Sequence, residues 1–197
     1  MKKMIASILA VMTLVFVGSP AFATYAKETD YMNTMLQAAV AGDWDTGQNA
    51  QFGRNAKIDE EGLDYIKISF EDLYLLAKII YAEAGSQWLP DDWKMCVGEV
   101  VLNRVDSPEF PNTIVEVIYQ PGQYYGADSS YFAALNPDMR CAQLALRLLE
   151  GERVMNRPSV VFQANFRQGG GVHLSYYDEV LGWTYFCDSC KTNLYTV

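Results

Sequence analysis

Glu83 closes an apolar run, Ile79-Ile80-Tyr81-Ala82, with Ala84 and Gly85 directly beyond it. A carboxyl held among uncharged neighbours at a helix end is partly desolvated, and desolvation disfavours its charged form. The proton is then held more tightly, which a general acid working near neutral pH requires. Read from position alone, a glutamate in the last turn of a helix is more often a solvated surface residue. The small side chains of Ala82 and Ala84 favour the chemical reading a little, because they leave room for a ligand. Further along stand Tyr119, Gln120, Gln123, Tyr124 and Tyr125, then Tyr131 and Phe132. Aromatic faces stack on the C–H surfaces of sugar rings while amides and phenols bond hydroxyls. A tyrosine-rich packing loop would have the same composition.

Other chemistries are poorly supplied. One histidine, His173, and four cysteines are too few for several metal centres, and neither a Walker-type phosphate loop nor a dinucleotide fingerprint occurs, so no metal and no cofactor is expected. His173 reads as a loop residue, and no Gly-x-Ser-x-Gly elbow supports a serine triad. Gly169-Gly170-Gly171 lacks a following Lys-Ser or Lys-Thr and reads as a flexible, hairpin-like connection. Cys96 and Cys141 fall on apolar helical stripes as core residues, with a helix-to-helix bridge as the alternative. Cys187 and Cys190 read as a small surface disulfide or two free thiols. The formal charge of −9 repels phosphate backbones and speaks against a nucleic-acid partner.

The elements that must carry these groups follow from periodicity. A length of 197 residues, 50% apolar and 20% charged, suits one globular domain. Met1-Lys2-Lys3, the fourteen-residue apolar run Met4 to Val17 and the closing Ala21-Phe22-Ala23 read as a secretory signal over 1–23. That run is shorter than the roughly 18 residues of a membrane span, so no anchor is expected after cleavage, and a secreted or wall-located monomer is. Residues 24–57 are expected to form a short helix to about Ala41 and then a linker, Gly42 to Lys57, rich in Gly, Asn, Asp and Gln. The domain proper, 58–197, opens on a strand or extended lead-in, Leu63 to Ile68. Ser69 then caps a helix from Phe70 to about Ala84, whose Leu73, Leu76, Ala77, Ile80 and Ala84 face the core. Pro90-Asp91-Asp92 starts a strongly apolar, central helix ending near Arg104. Thr113 caps a short helix, Asn136-Pro137 begins another running through Leu149, and Val160 to Ala164 and Trp183 to Cys187 read as two strands. The fold class is α+β, a helical body with a small antiparallel sheet.

Four blocks in this order resemble a known family: Leu75-Leu76-Ala77-Lys78-Ile79-Ile80-Tyr81-Ala82-Glu83-Ala84, Val100-Val101-Leu102-Asn103-Arg104-Val105, Ser107 to Ile114, and Val117-Ile118-Tyr119-Gln120-Pro121-Gly122-Gln123-Tyr124. They resemble the SleB-like cell-wall hydrolases, whose founding members are spore-cortex-lytic enzymes. Thr184 stands where the family often has a histidine. The resemblance implies a mainly helical domain, lysozyme-like and related to lytic transglycosylases, that cleaves the bond between N-acetylmuramic acid and N-acetylglucosamine in peptidoglycan glycan strands. It matches Glu83 to the catalytic glutamate, a single carboxyl that gives a proton to the bridging oxygen and takes one from the C6 hydroxyl. A hydrolase normally needs a second carboxylate, and Glu99, Asp128 and Asp138 are available for it. Gln123, Tyr124, Tyr119 and Tyr125 are expected to contact substrate. Glu99, lone among apolar neighbours, and Asn103 are further candidates, although Asn103 and Arg104 equally suit a bracing role and Arg104 is a possible partner for Glu99. An enzymatically idle wall-binding module is the alternative. Cleavage after Ala23 removes two lysines, leaving 13 basic against 24 acidic side chains and a charge of −11. Walls rich in teichoic acid are anionic, so turbidity assays on intact walls should show activity rising with moderate salt as repulsion is screened; a steady fall from low salt contradicts this.

Overall fold

The computed structural model describes residues 20–124 and 126–195, with side chains from Thr29 onward. The signal segment therefore lies almost wholly outside the described residues, and so does Tyr125. Seven α-helices are present among the described residues: α1 (Pro20–Ala41), α2 (Trp44–Glu61), α3 (Phe70–Ala84), α4 (Asp91–Val105), α5 (Ile114–Ile118), α6 (Ser130–Ala134) and α7 (Met139–Leu149). The strands β1 (Val160–Ala164), β2 (Gly171–Asp178) and β3 (Gly182–Asp188) follow, then a 3₁₀ turn at Thr192–Tyr195. The mainly helical α+β class expected from the sequence is the one found. No described helix is long and apolar enough to cross a membrane.

Most capping signals act as expected. Ser69 accepts from the Asp72 amide at the start of α3, and Thr113 accepts from the Glu116 amide at the start of α5. At α7 the cap is Asp138 rather than Asn136, its carboxylate accepting from the Cys141 amide at 2.7 Å. Residues 63–69 have no regular secondary structure and join no sheet, so they form a lead-in rather than a strand. The linker reading of Gly42–Lys57 is wrong, because this stretch is α2. Asp43 caps it, and Gly47, Ala50, Arg54 and Ile58 form one buried stripe at helical spacing. The glycine that made the segment look flexible is a point of close approach: a Cβ on Gly47 would lie 2.2 Å from the Phe70 ring. Gln51 accepts from the Phe70 amide at 2.7 Å and Arg54 donates to the Ile66 carbonyl at 2.9 Å, which fastens α2 to the start of α3.

The C-terminal sheet has three strands, not two, in the order β1-β3-β2 with antiparallel pairs. β2 escaped detection because Gly-Val-His-Leu-Ser-Tyr-Tyr-Asp is an edge strand, exposed at half of its positions, without an apolar run. The glycine run is no flexible hairpin connection. It crosses the end of β3, where the Gly170 amide donates to the Asp188 carbonyl at 2.8 Å and a Cβ on Gly169 would lie 2.1 Å from that oxygen.

α4 is central, as its composition suggested, and buried from Trp93 to Arg104. It joins the helical body to the sheet by apolar and polar contacts. Trp93 stacks on Tyr176 of β2 at 5.2 Å, and Tyr176 meets the buried Phe186 ring edge-on at 6.1 Å. Asn103 Nδ2 donates to the carbonyls of Val160 at 2.9 Å and Arg157 at 3.1 Å, and Arg104 Nε donates to that of Val161 at 2.7 Å. The Glu99 side chain, fully enclosed, accepts from the amides of Val154, Met155 and Asn156 at 2.8–2.9 Å. Asn156, the last of the three, adopts a left-handed conformation, φ 48°, which asparagine tolerates better than most residues. Glu99 and Asn103 therefore brace the fold from buried positions, and Glu99 is paired with backbone amides instead of Arg104. Cys96 and Cys141 are free and buried, and burial pushes both thiols up to about 12.

Removing the Glu99 carboxylate strands three amide donors at once. Glu99→Ala should lower unfolding free energy by about 3 kcal/mol in urea titration, far more than an exposed Glu→Ala change. A loss below about 1 kcal/mol would contradict the bracing role.

Candidate active site

Glu83 sits in the last turn of α3, and its position is set from behind by Lys94 of α4. The Lys94 ammonium is fully buried and donates to the carbonyls of Ala84 and, at 2.9 Å, Ser86. These lie at the end of the helix, where carbonyls lack intrahelical donors and a cation meets the negative end of the dipole. The backbone on the far side of Glu83 is thus clamped. From the sheet, Gln163 of β1 donates its Nε2 to Glu83 Oε2 at 3.1 Å.

In front of Glu83 opens a cleft of about 770 Å³. One wall is the turn from Tyr119 to Tyr124, and another is the segment Gly126 to Ser129 with Tyr131 and Phe132 of α6. Tyr119 is exposed and meets Phe132 edge-on at 6.2 Å, while Gln123 is exposed on the turn. Lys78 of α3 steadies the α6 wall, donating to the Ala133 carbonyl at 3.0 Å with its ammonium 5.0 Å from the Phe132 ring centre. Glu83 is open to solvent from the cleft, yet protein encloses the carboxyl closely on its other sides. Burial therefore pushes its pKa above the ordinary glutamate value, opposed by the Gln163 hydrogen bond and the Arg104 charge. Arg104 lies against the Tyr124 ring, 5.1 Å from its centre, and burial raises the Tyr124 phenol as well, so that it stays neutral. Of the five enclosed side-chain polar atoms without a partner among the described residues, four gather here: Arg104 Nη1, Gln120 Oε1, Tyr124 Oη and Gln163 Oε1.

The structure thus brings Glu83, Tyr119, Gln123 and Tyr124 to one cleft and leaves Glu99 and Asn103 outside it. Of the proposed second carboxylates, Asp128 lines the cleft; Asp138 caps α7 and accepts from Gln87 at 2.7 Å, and Glu99 is sealed in the core. His173 is exposed on β2 and does not line the cleft. Sequence reasoning missed Gln163 and Lys94. The signal for each was a single polar residue in an apolar run, Gln163 within Val160–Ala164 and Lys94 between Trp93 and Met95. Among the described residues no group of His, Cys, Asp and Glu is arranged to hold a metal ion.

The fold and the site together define a helical α+β domain with a carboxyl of raised proton affinity at the edge of an aromatic and amide-lined cleft. Residues 90–168 match the family model described as Cell Wall Hydrolase, a span that begins just after Glu83 and takes in Arg104, the turn at 119–124 and Gln163. Over 77 residues the chain is 35% identical to the spore cortex-lytic enzyme of Bacillus subtilis (strain 168), covering 39% of this chain and 25% of that protein. Over 121 residues it is 26% identical to the spore cortex-lytic enzyme of Halalkalibacterium halodurans, covering 61% of this chain and 36% of that one. A third such enzyme, from Oceanobacillus iheyensis, is 31% identical over 84 residues, covering 42% of this chain and 29% of its own length. Over these stretches the chain is similar to the cell-wall hydrolases, and it spans about a quarter to a third of the length of these relatives. No solved structure matches it significantly.

The raised proton affinity of Glu83 has a stability consequence. The folded protein binds this proton more tightly than the unfolded chain does. Stability is therefore lost as pH rises from the ordinary glutamate value of about 4.5 through the higher folded value, and the loss is complete above it. Glu83→Gln removes the ionisation but keeps an acceptor for Gln163. Its melting temperature should exceed the parent's at pH 7, with the gap closing below about pH 4. A mutant that melts lower at pH 7 would show that Glu83 is not strained by its surroundings.

Proposed function

We propose that this protein is a peptidoglycan-degrading enzyme that cleaves the glycosidic bond between N-acetylmuramic acid and N-acetylglucosamine, with Glu83 as its single acid and base. The observation that carries the reading is Glu83 itself, reachable from a 770 Å³ cleft while burial raises its proton affinity. The similarity to the cell-wall hydrolases supports the same substrate class. Protonated Glu83 gives its proton to the bridging oxygen as the bond to muramic C1 breaks and an oxocarbenium-like centre develops. The resulting carboxylate, stabilised by Gln163 and Arg104, then takes the proton of the C6 hydroxyl as O6 bonds to C1. A 1,6-anhydro ring closes and Glu83 is again protonated. Tyr119 and Gln123 are suited to hold the sugar rings, by stacking and by hydrogen bonds to hydroxyls. The secretory signal read from the sequence of residues 1–23 supports action outside the cytoplasmic membrane, in the wall.

Asp128 on the cleft wall favours a second reading, hydrolysis, because a second carboxylate activates water or forms a glycosyl intermediate. Mass spectrometry of digested peptidoglycan separates the two: 1,6-anhydromuramic ends mark transglycosylation, and reducing ends mark hydrolysis. On purified sacculi, Glu83→Gln should slow turbidity loss by about 10²–10⁴-fold, the usual contribution of a positioned acid–base group. Wall binding by a native protein that releases no fragments would instead identify an idle binding module.

A further inference from the structure

Gln163 is the polar residue of an otherwise apolar strand, and its placement is not incidental. Its partner across the ladder is Phe186, buried in the core, and directly opposed residues of antiparallel strands project from the same face. Gln163 therefore points from the sheet into the helical layer, toward the end of α3. There its Nε2 donates to Glu83 Oε2 at 3.1 Å, the one directional bond to that carboxyl among the described residues. An amide nitrogen can only donate, and in a protonated carboxyl the better acceptor is the bare carbonyl oxygen, not the hydroxyl oxygen. The bond consequently marks Oε2 as the oxygen without the proton and leaves Oε1 to carry it.

We propose that Gln163 is a positioning residue for Glu83, selecting which carboxyl oxygen carries the exchangeable proton and keeping that oxygen turned to the cleft. This rests on the acid–base reading of Glu83. The terminal torsion of a glutamate is broad, so without a fixed partner the protonated oxygen would spend time facing away from substrate. The same N–H serves the second half of the cycle, when the carboxyl is charged and a donor stabilises it. The other groups around Glu83 are less directional: Arg104 of α4 acts through charge, Tyr124 stays neutral, and Asp128 lines the cleft.

The test follows the Glu83 carboxyl by ¹³C NMR in the full chain, its signal identified by its absence from Glu83→Gln. Two variants are compared, Gln163→Leu, which removes the donor, and Gln163→Glu, which retains polarity if the leucine variant fails to fold. The Glu83 midpoint should rise by about one pH unit in Gln163→Leu and further in Gln163→Glu, where a like charge faces it. On peptidoglycan the rate at saturation should fall about tenfold with half-saturation little changed, and the basic limb of the pH–rate profile should move with the NMR midpoint. A midpoint unmoved in folded variants overturns the proposal, whatever happens to the rate, since a prop for the fold or a substrate contact would leave it in place. A shifted midpoint together with full activity of Glu83→Gln would support the Gln163 contact while refuting Glu83 as the acid.

Discussion

A buried polar group must be paired, and in α4 that requirement organises the whole domain. Lys94, Glu99, Asn103 and Arg104 are all nearly or fully enclosed, and each finds backbone partners outside α4, Arg104 through its Nε. Lys94 holds the end of α3, Glu99 gathers the amides of 154–156, Asn103 takes the carbonyls of Arg157 and Val160, and Arg104 takes that of Val161. One helix therefore determines both where the helix bearing Glu83 stops and where the strand bearing Gln163 starts. Backbone partners suit this task because they cannot rotate away.

The proposed acid has two conflicting needs, a surrounding poor in water so that its proton is kept and an open side through which substrate arrives. Its place at a helix terminus satisfies both. Behind it the chain continues into the Lys94 clamp and the apolar core, while ahead of it Ala82 and the turn at 119–124 leave a cleft. Arg104 and Gln163 oppose the effect of burial on Glu83. The carboxyl is thereby kept between the extremes of permanent protonation and permanent charge, as a group that must both give and accept a proton requires.

Much of this was legible before the coordinates. α3, α4, α5 and α7 follow from apolar spacing and from caps such as Ser69 and Thr113, and β1 and β3 from their β-branched and aromatic residues. The stretches misread were those where composition and packing disagree. α2 looked like a linker because its stretch is rich in Gly, Asn, Asp and Gln, and only the Phe70 ring lying against Gly47 shows why a glycine is there. β2 has no apolar run because it is an edge strand, exposed at half of its positions. Glu99 was drawn into the site by the same fact that made it a brace, polarity on an apolar helix, which signals an obligatory partner without saying whether that partner is ligand or backbone; Asn103 was drawn in by its place in a family block.

Local patterning along the chain was enough to establish the fold class, the helix carrying Glu83, the aromatic and amide turn and the family blocks, because periodicity, capping and motif order are properties of neighbouring residues. Tertiary structure alone decided that Gln163, eighty positions away, bonds to Glu83, that Lys94 clamps the helix end behind it, and that Asp128 rather than Glu99 or Asp138 shares the cleft. Those relations depend on which backbone carbonyls and amides lie free in space after the helices and sheet have packed, and no spacing along the chain encodes them.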